Sequence, residues 1–250
     1  MTPTIRLGRW FGVPVGLHYS WFVIAWLMTV SLASEFSRQS SRWSPATVWS
    51  LAVITAVLFF ACIVLHELAH AVVARLSDIP VRGITLFALG GIAQIEKEAS
   101  TPAKEFWMAI AGPGASLVIG FVCRALAGAI AQVSRTATPS APAAVFGWLA
   151  YINVSLALFN LIPGFPLDGG RVLRSIVWAI TDNVDQATRI ASRVGQAVAL
   201  LFIGFGVFSV LTRNDFGGLW IAFIGWFLLE GAQSSYLQAE LSIRLASERR

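Results

Sequence analysis

Charge is scarce in this chain. Only 12% of its 250 residues are Asp, Glu, Lys or Arg, about half of the ~25% that a soluble domain carries. With a hydrophobic share of 56%, that deficit argues against a water-soluble enzyme. Cysteine is nearly missing. Cys62 and Cys123 both lie in apolar runs, with neither metal-ligand spacing nor a secreted disulfide framework. The N-terminus lacks the uninterrupted apolar core and small-residue cleavage site of a signal peptide. Gly8, Gly12, Pro14 and Gly16 interrupt it, so it reads as extended chain on the membrane surface or a short hairpin. The chain shows no internal repeat, low-complexity tract or soluble domain. Its net charge is +5, but the arginines are not clustered with interleaved aromatics, so no nucleic-acid partner is expected.

Long hydrophobic runs are what the chain does have. Six reach the length of about 20 residues needed to cross a bilayer: roughly Leu17–Ala33, Thr47–Leu76, Glu105–Val133, Ala143–Ile162, Ser192–Leu211 and Gly218–Leu237. The expected fold is an all-α polytopic membrane protein with about six transmembrane helices. "DGGRVLRSIVWAI", between the fourth and fifth spans, is a helix too short to cross. With a cytoplasmic N-terminus, thirteen Lys or Arg fall on inner segments. Only Arg38, Arg42, Arg135 and Arg213 fall on outer ones. Positive residues accumulate on the cytoplasmic side, so both termini are expected there, in the cell membrane of a prokaryote. Arg75, next to the end of the second span, places that helix end on the same side.

That second span contains "LFFACIVLHELAHAVVARL". Ionisable groups inside a span are costly, and by default they signal function. His66 and His70 stand at i and i+4 on one helix face, so both imidazoles can reach one metal ion. Glu67 beside them is a candidate general base. A catalytic zinc usually has three protein ligands and a position left for water. The third ligand is sought in "FNLIPGFPLDGGR", where Pro163, Gly164 and Pro166 break the helix before Asp168. His66, His70 and Asp168 would together hold one zinc per chain. Between these motifs, "VRGITLFALGGIAQI" is too short to span. It is either a cytoplasmic amphipathic turn or a short re-entrant β segment lining the site, with Thr85–Ile95 as a peptide-docking edge. Gly90 and Gly91 would allow close approach of a substrate backbone. Asn153 lies two helical turns before Asn160 and shares its face.

The motifs "HELAH", "FALGGIAQI", "AGPGASL" and "FNLIPGFPLDGGR" occur in an order that resembles the site-2 protease family of intramembrane zinc metalloproteases. The resemblance implies that His66, His70 and Asp168 bind zinc and that Glu67 is the catalytic base. It further implies that Asn160 orients substrate or stabilises the tetrahedral intermediate, and that the glycine-containing strand docks substrate. Single-pass membrane proteins or membrane peptides would be the substrates, and the lipid bilayer the medium. Residues 1–250 would form a single transmembrane metalloprotease domain. No segment between spans could hold the PDZ domain of one family branch. "VPVGLHYSW" and "GGLWIAFIGWFLLEGA" resemble another branch, which often carries CBS domains after its last span; none lies within these 250 residues.

Rival readings remain at this level. A membrane metal transporter could bury the same histidines and carboxylate. A membrane zinc protease of another kind could share HExxH but not the Asp168 motif. Cys62 reads as a small core residue or a neighbour of the site. His18 reads as a structural interfacial histidine or a gating residue.

Overall fold

The computed structural model describes residues 4–87, 90–95, 98–134, 140–213 and 215–248. Along the chain these form β1 (Ile5–Trp10), β2 (Val13–Leu17), α1 (Ser20–Gln39), α2 (Pro45–Leu76), β3 (Val81–Phe87) and β4 (Gly90–Ile95). Then follow α3 (Pro102–Ser134), α4 (Ala141–Asn160), α5 (Asp168–Thr181), α6 (Val184–Arg213) and α7 (Gly217–Glu248). Among the described residues, α1, α2, α3, α4 and α6 are long and apolar enough to cross a membrane. The expected sixth span, Gly218–Leu237, falls inside α7, which lies outside that set of five. Bulky apolar side chains face outward along these helices, as at Phe121 on α3, Leu201 on α6 and Trp220 on α7. The chain is a multi-pass integral membrane protein.

The chain divides into two compact units. One comprises Met1–Glu98 and Ala111–Leu158, the other Ala99–Ile110 and Phe159–Arg250. The first unit holds a four-stranded sheet of order β1-β2-β3-β4. Phe11 and Gly12 both have positive φ, 50° and 78°. That is the two-residue turn whose twist matches a β-hairpin, so the N-terminal segment is a hairpin rather than loose extended chain. β2 runs parallel to β3 with Val15 opposite Ile84, and β3 runs antiparallel to β4 with Leu86 opposite Gly91.

The β structure is therefore larger than a single re-entrant segment. The physical reason is backbone satisfaction. A lone strand at membrane depth would leave its N–H and C=O groups unpaired. Two neighbouring strands remove that cost for β3. The expected docking segment Thr85–Ile95 splits accordingly: β3 is an interior strand, β4 is the edge, and Ala88 and Leu89 lie outside the described residues.

Val13, Val15, Ile84 and Leu86 from the sheet pack on Val64, Leu68 and Ala71 of α2. At 100° per residue, this face is nearly opposite the one carrying His66 and His70. A second core joins α1, α2, α3 and α4 and includes Phe36, Ala52, Cys62, Cys123 and Leu149. Both cysteines are free and buried there, as small core residues. α2 starts cleanly, with Pro45 at its first position and the Ser44 hydroxyl accepting from the Thr47 N–H at 3.2 Å. Its 32 residues extend about 48 Å, well beyond a hydrocarbon core of about 30 Å.

In the second unit, α6 and α7 form an antiparallel pair whose backbones meet at glycines. Gly206 lies against Gly218 and Ala222, and Gly225 lies against Ala199 and Ile203. Small residues at such crossings let helices approach closely where lipid supplies no hydrophobic drive. Leu167, Ala199 and Leu228 form the buried core of this unit.

Candidate metal and catalytic site

The histidine pair is positioned by helix geometry. One turn of α2 separates His66 from His70, and both are buried, with their Nε2 atoms 3.2 Å apart. Two nitrogens held about 2.0–2.1 Å from a tetrahedral zinc would stand roughly 3.3–3.4 Å apart. Two imidazole lone pairs facing each other at this distance need a proton or a cation between them. The facing helix leaves room for one. A Cβ at Gly112 of α3 would stand 2.6 Å from His66 Nε2 and closer still to His70 Nε2. Only glycine keeps that space open. His66 Nδ1 is paired with the Ser116 hydroxyl at 2.9 Å. Glu67, between the histidines in sequence, is half-buried.

Asp168 is the first residue of α5. A carboxylate there is stabilised by the free N–H groups and dipole of the helix start. The preceding turn is held tightly. Gly164 (φ 144°) packs on the Gly195 backbone of α6, and Gly170 packs on Gly164 and Phe165. A side chain at any of these three glycines would push the turn away. The Leu167 N–H donates to the Gly164 carbonyl at 3.1 Å, and the Gly170 N–H to the Leu167 carbonyl at 2.9 Å. His66 and His70 lie in the first unit and Asp168 in the second. Two neutral nitrogens and one carboxylate oxygen make the donor set of a catalytic zinc centre, and these residues fit that ion.

The other expected residues are distributed differently. Asn160 ends α4 and is half-buried. Asn153 is fully buried and donates to the Leu149 carbonyl of its own helix at 2.8 Å. Gly90 and Gly91 open β4 opposite Phe87 and Leu86. His18 Nδ1 accepts from the Ser20 N–H at 3.3 Å and pairs with the Ser20 hydroxyl at 2.9 Å. This local contact sits just before α1, whose N-cap is Tyr19.

Sequence reasoning missed a buried ion pair in the second unit. Glu105, on the first turn of α3, has no exposed surface, and its Oε1 accepts from Arg174 of α5 through Nε at 2.7 Å and through Nη2. Arg171 Nε lies 3.7 Å from the same oxygen. The Arg174 guanidinium also stands 5.6 Å from the Phe165 ring centre, so one cation braces both α5 and the turn before Asp168. The available signal was an acidic residue entering an apolar run and an arginine repeating at i+3 on a short amphipathic helix.

Comparison with known proteins agrees with the site. The profile of peptidase family M50 matches residues 54–202. The chain is 45% identical over 241 residues to sll0528 of Synechocystis sp., spanning 96% of this chain and 62% of that one. It is 40% identical over 233 residues to Rip3 of Mycobacterium tuberculosis, spanning 93% and 58%. Both relatives carry zinc-metalloprotease names. The chain thus spans about three fifths of the length of these relatives. A solved structure named Site-2 Protease from Methanocaldococcus jannaschii superposes with a TM-score of 0.58 at 28% identity, covering 93% of this chain and 94% of that one. With more than half of its length matched by the family profile, this chain belongs to peptidase family M50.

Proposed function

We propose that this protein hydrolyses peptide bonds within or next to the transmembrane segments of membrane proteins, using one zinc ion per chain held by His66, His70 and Asp168. The observation that carries the reading is the 3.2 Å approach of two buried imidazole Nε2 atoms inside an apolar helix. When bound, zinc supplies Lewis-acid polarisation of a carbonyl and lowers the pKa of water toward 7. The chain's own groups do the rest. Glu67 takes the proton of the attacking water on its carboxylate and returns it to the leaving amine. The Asn160 amide donates to the developing oxyanion.

A substrate helix hides its carbonyls in its own hydrogen bonds, so it must unwind before attack. The β4 edge offers replacement partners, with Gly90 and Gly91 keeping the approach clear. A proline at Ile92 or Ala93 is expected to lower cleavage at least tenfold with zinc content unchanged, because it removes a ladder donor. Normal cleavage by both variants would move docking elsewhere.

The arginine bias supports a cytoplasmic position for both termini and for the histidine end of α2. Single-pass proteins or membrane peptides are the proposed substrates. The whole span 1–250 acts as one catalytic domain, of the branch that lacks PDZ domains. Metal analysis tests the centre directly. Purified protein should carry about one zinc per chain, and Asp168→Ala should lose most of it. Chelation should stop cleavage of a single-span substrate, and added zinc should restore it. Full zinc occupancy in the Asp168 variant would remove that carboxylate from the ligand set.

A further inference from the structure

The motif "AGPGASL" contributes no proposed zinc ligand and no proposed acid or base. We propose that Ser116, within it, is a positioning residue that fixes the ring of His66 through Nδ1. This inference rests on the zinc reading of the site and adds a residue to it.

The geometry comes from one face of α3. Gly112 and Ser116 are four residues apart and therefore stack on that face. Gly112 lets the helix close on both Nε2 atoms, and one turn on Ser116 meets His66 Nδ1 at 2.9 Å. Pro113, between them, is fully buried, so the approach is packed. Ser116 has no exposed surface. A hydroxyl there is not interchangeable with a passing water.

The chemistry follows from the two nitrogens of one ring. A neutral imidazole that offers its Nε2 lone pair to a cation carries its proton on Nδ1. That N–H needs an acceptor, because burying it unpaired costs about 1–3 kcal/mol. The Ser116 oxygen is the acceptor. It selects the tautomer with Nε2 available and prevents the ring from turning to present Nδ1 instead. Partners of this kind on metal-binding histidines typically change metal affinity 10- to 100-fold when removed.

The test replaces one oxygen. Zinc affinity of Ser116→Ala is measured by chelator competition in detergent, alongside the thermal midpoint of the metal-free protein. The expected result is zinc binding weakened about 10- to 100-fold with a metal-free midpoint close to wild type. The cobalt-loaded variant should also show a shifted visible absorption spectrum, reporting a changed ligand field. Ser116→Cys, close in volume and a weak acceptor, should fall between the two, and it serves in place of alanine if that variant folds poorly. Affinity within twofold of wild type, or a loss matched by an equal fall in metal-free stability, overturns the proposal. Wild-type protein that binds no zinc overturns the metal reading itself, whereas wild-type binding with an unaffected Ser116 variant overturns only this inference.

Discussion

Glu67→Gln should leave zinc in place and lower cleavage of a single-span substrate by about 100- to 10,000-fold, the usual contribution of a general base. Glutamine keeps the length and polarity of the side chain but cannot accept the proton of the attacking water. The proposed ligands His66, His70 and Asp168 are all retained in this variant. The measurement pairs metal analysis with turnover in proteoliposomes. Wild-type turnover in this variant sinks the proposed mechanism. The same variant separates the protease from a metal transporter: a transporter would keep moving zinc across the bilayer after this change.

Glu105→Ala should destabilise the fold by about 3–5 kcal/mol, the range seen when one partner of a buried ion pair is removed. The penalty arises at the partner. Arg174 is nearly buried, and its Nε and Nη2 both donate to Glu105 Oε1. Without the carboxylate the buried guanidinium loses this partner while it still faces the Phe165 ring. Glu105→Met combined with Arg174→Met should recover much of the loss, because the buried charge is then absent altogether. Denaturation in mixed micelles reads both variants. A single variant within about 1 kcal/mol of wild type would show that water or Arg171 compensates and that the pair is not what holds α5.

Local patterns were legible in the sequence. The i, i+4 histidines lie on one helix face because α-helical spacing alone demands it. The helix break before Asp168 follows from Pro163, Gly164 and Pro166, and the short helix expected at Asp168–Ile180 is α5 with one more residue. Contacts between distant segments were not legible. Nothing at Val15 announces that it pairs with Ile84, since a strand's hydrophobic alternation states which face is buried and not which neighbour it takes. Glu105 and Arg174 each look like ordinary interfacial charges, and only the fold brings them together. Ser116 was inside a motif already noted, yet a serine in an apolar helix carries no mark of the imidazole it meets.

The parallel pairing of β2 with β3 has a consequence for assembly during synthesis. The two strands are separated in the chain by α1 and α2, so their ladder closes a long loop, and loops of this kind close late. β4 follows β3 directly and pairs with it as an antiparallel neighbour, so the four-stranded sheet is complete only after both helices have been made. The nascent chain must therefore make both hydrophobic helices before the β4 edge exists. A ribosome-bound intermediate ending before β3 would already hold His66 and His70 but not the β4 edge.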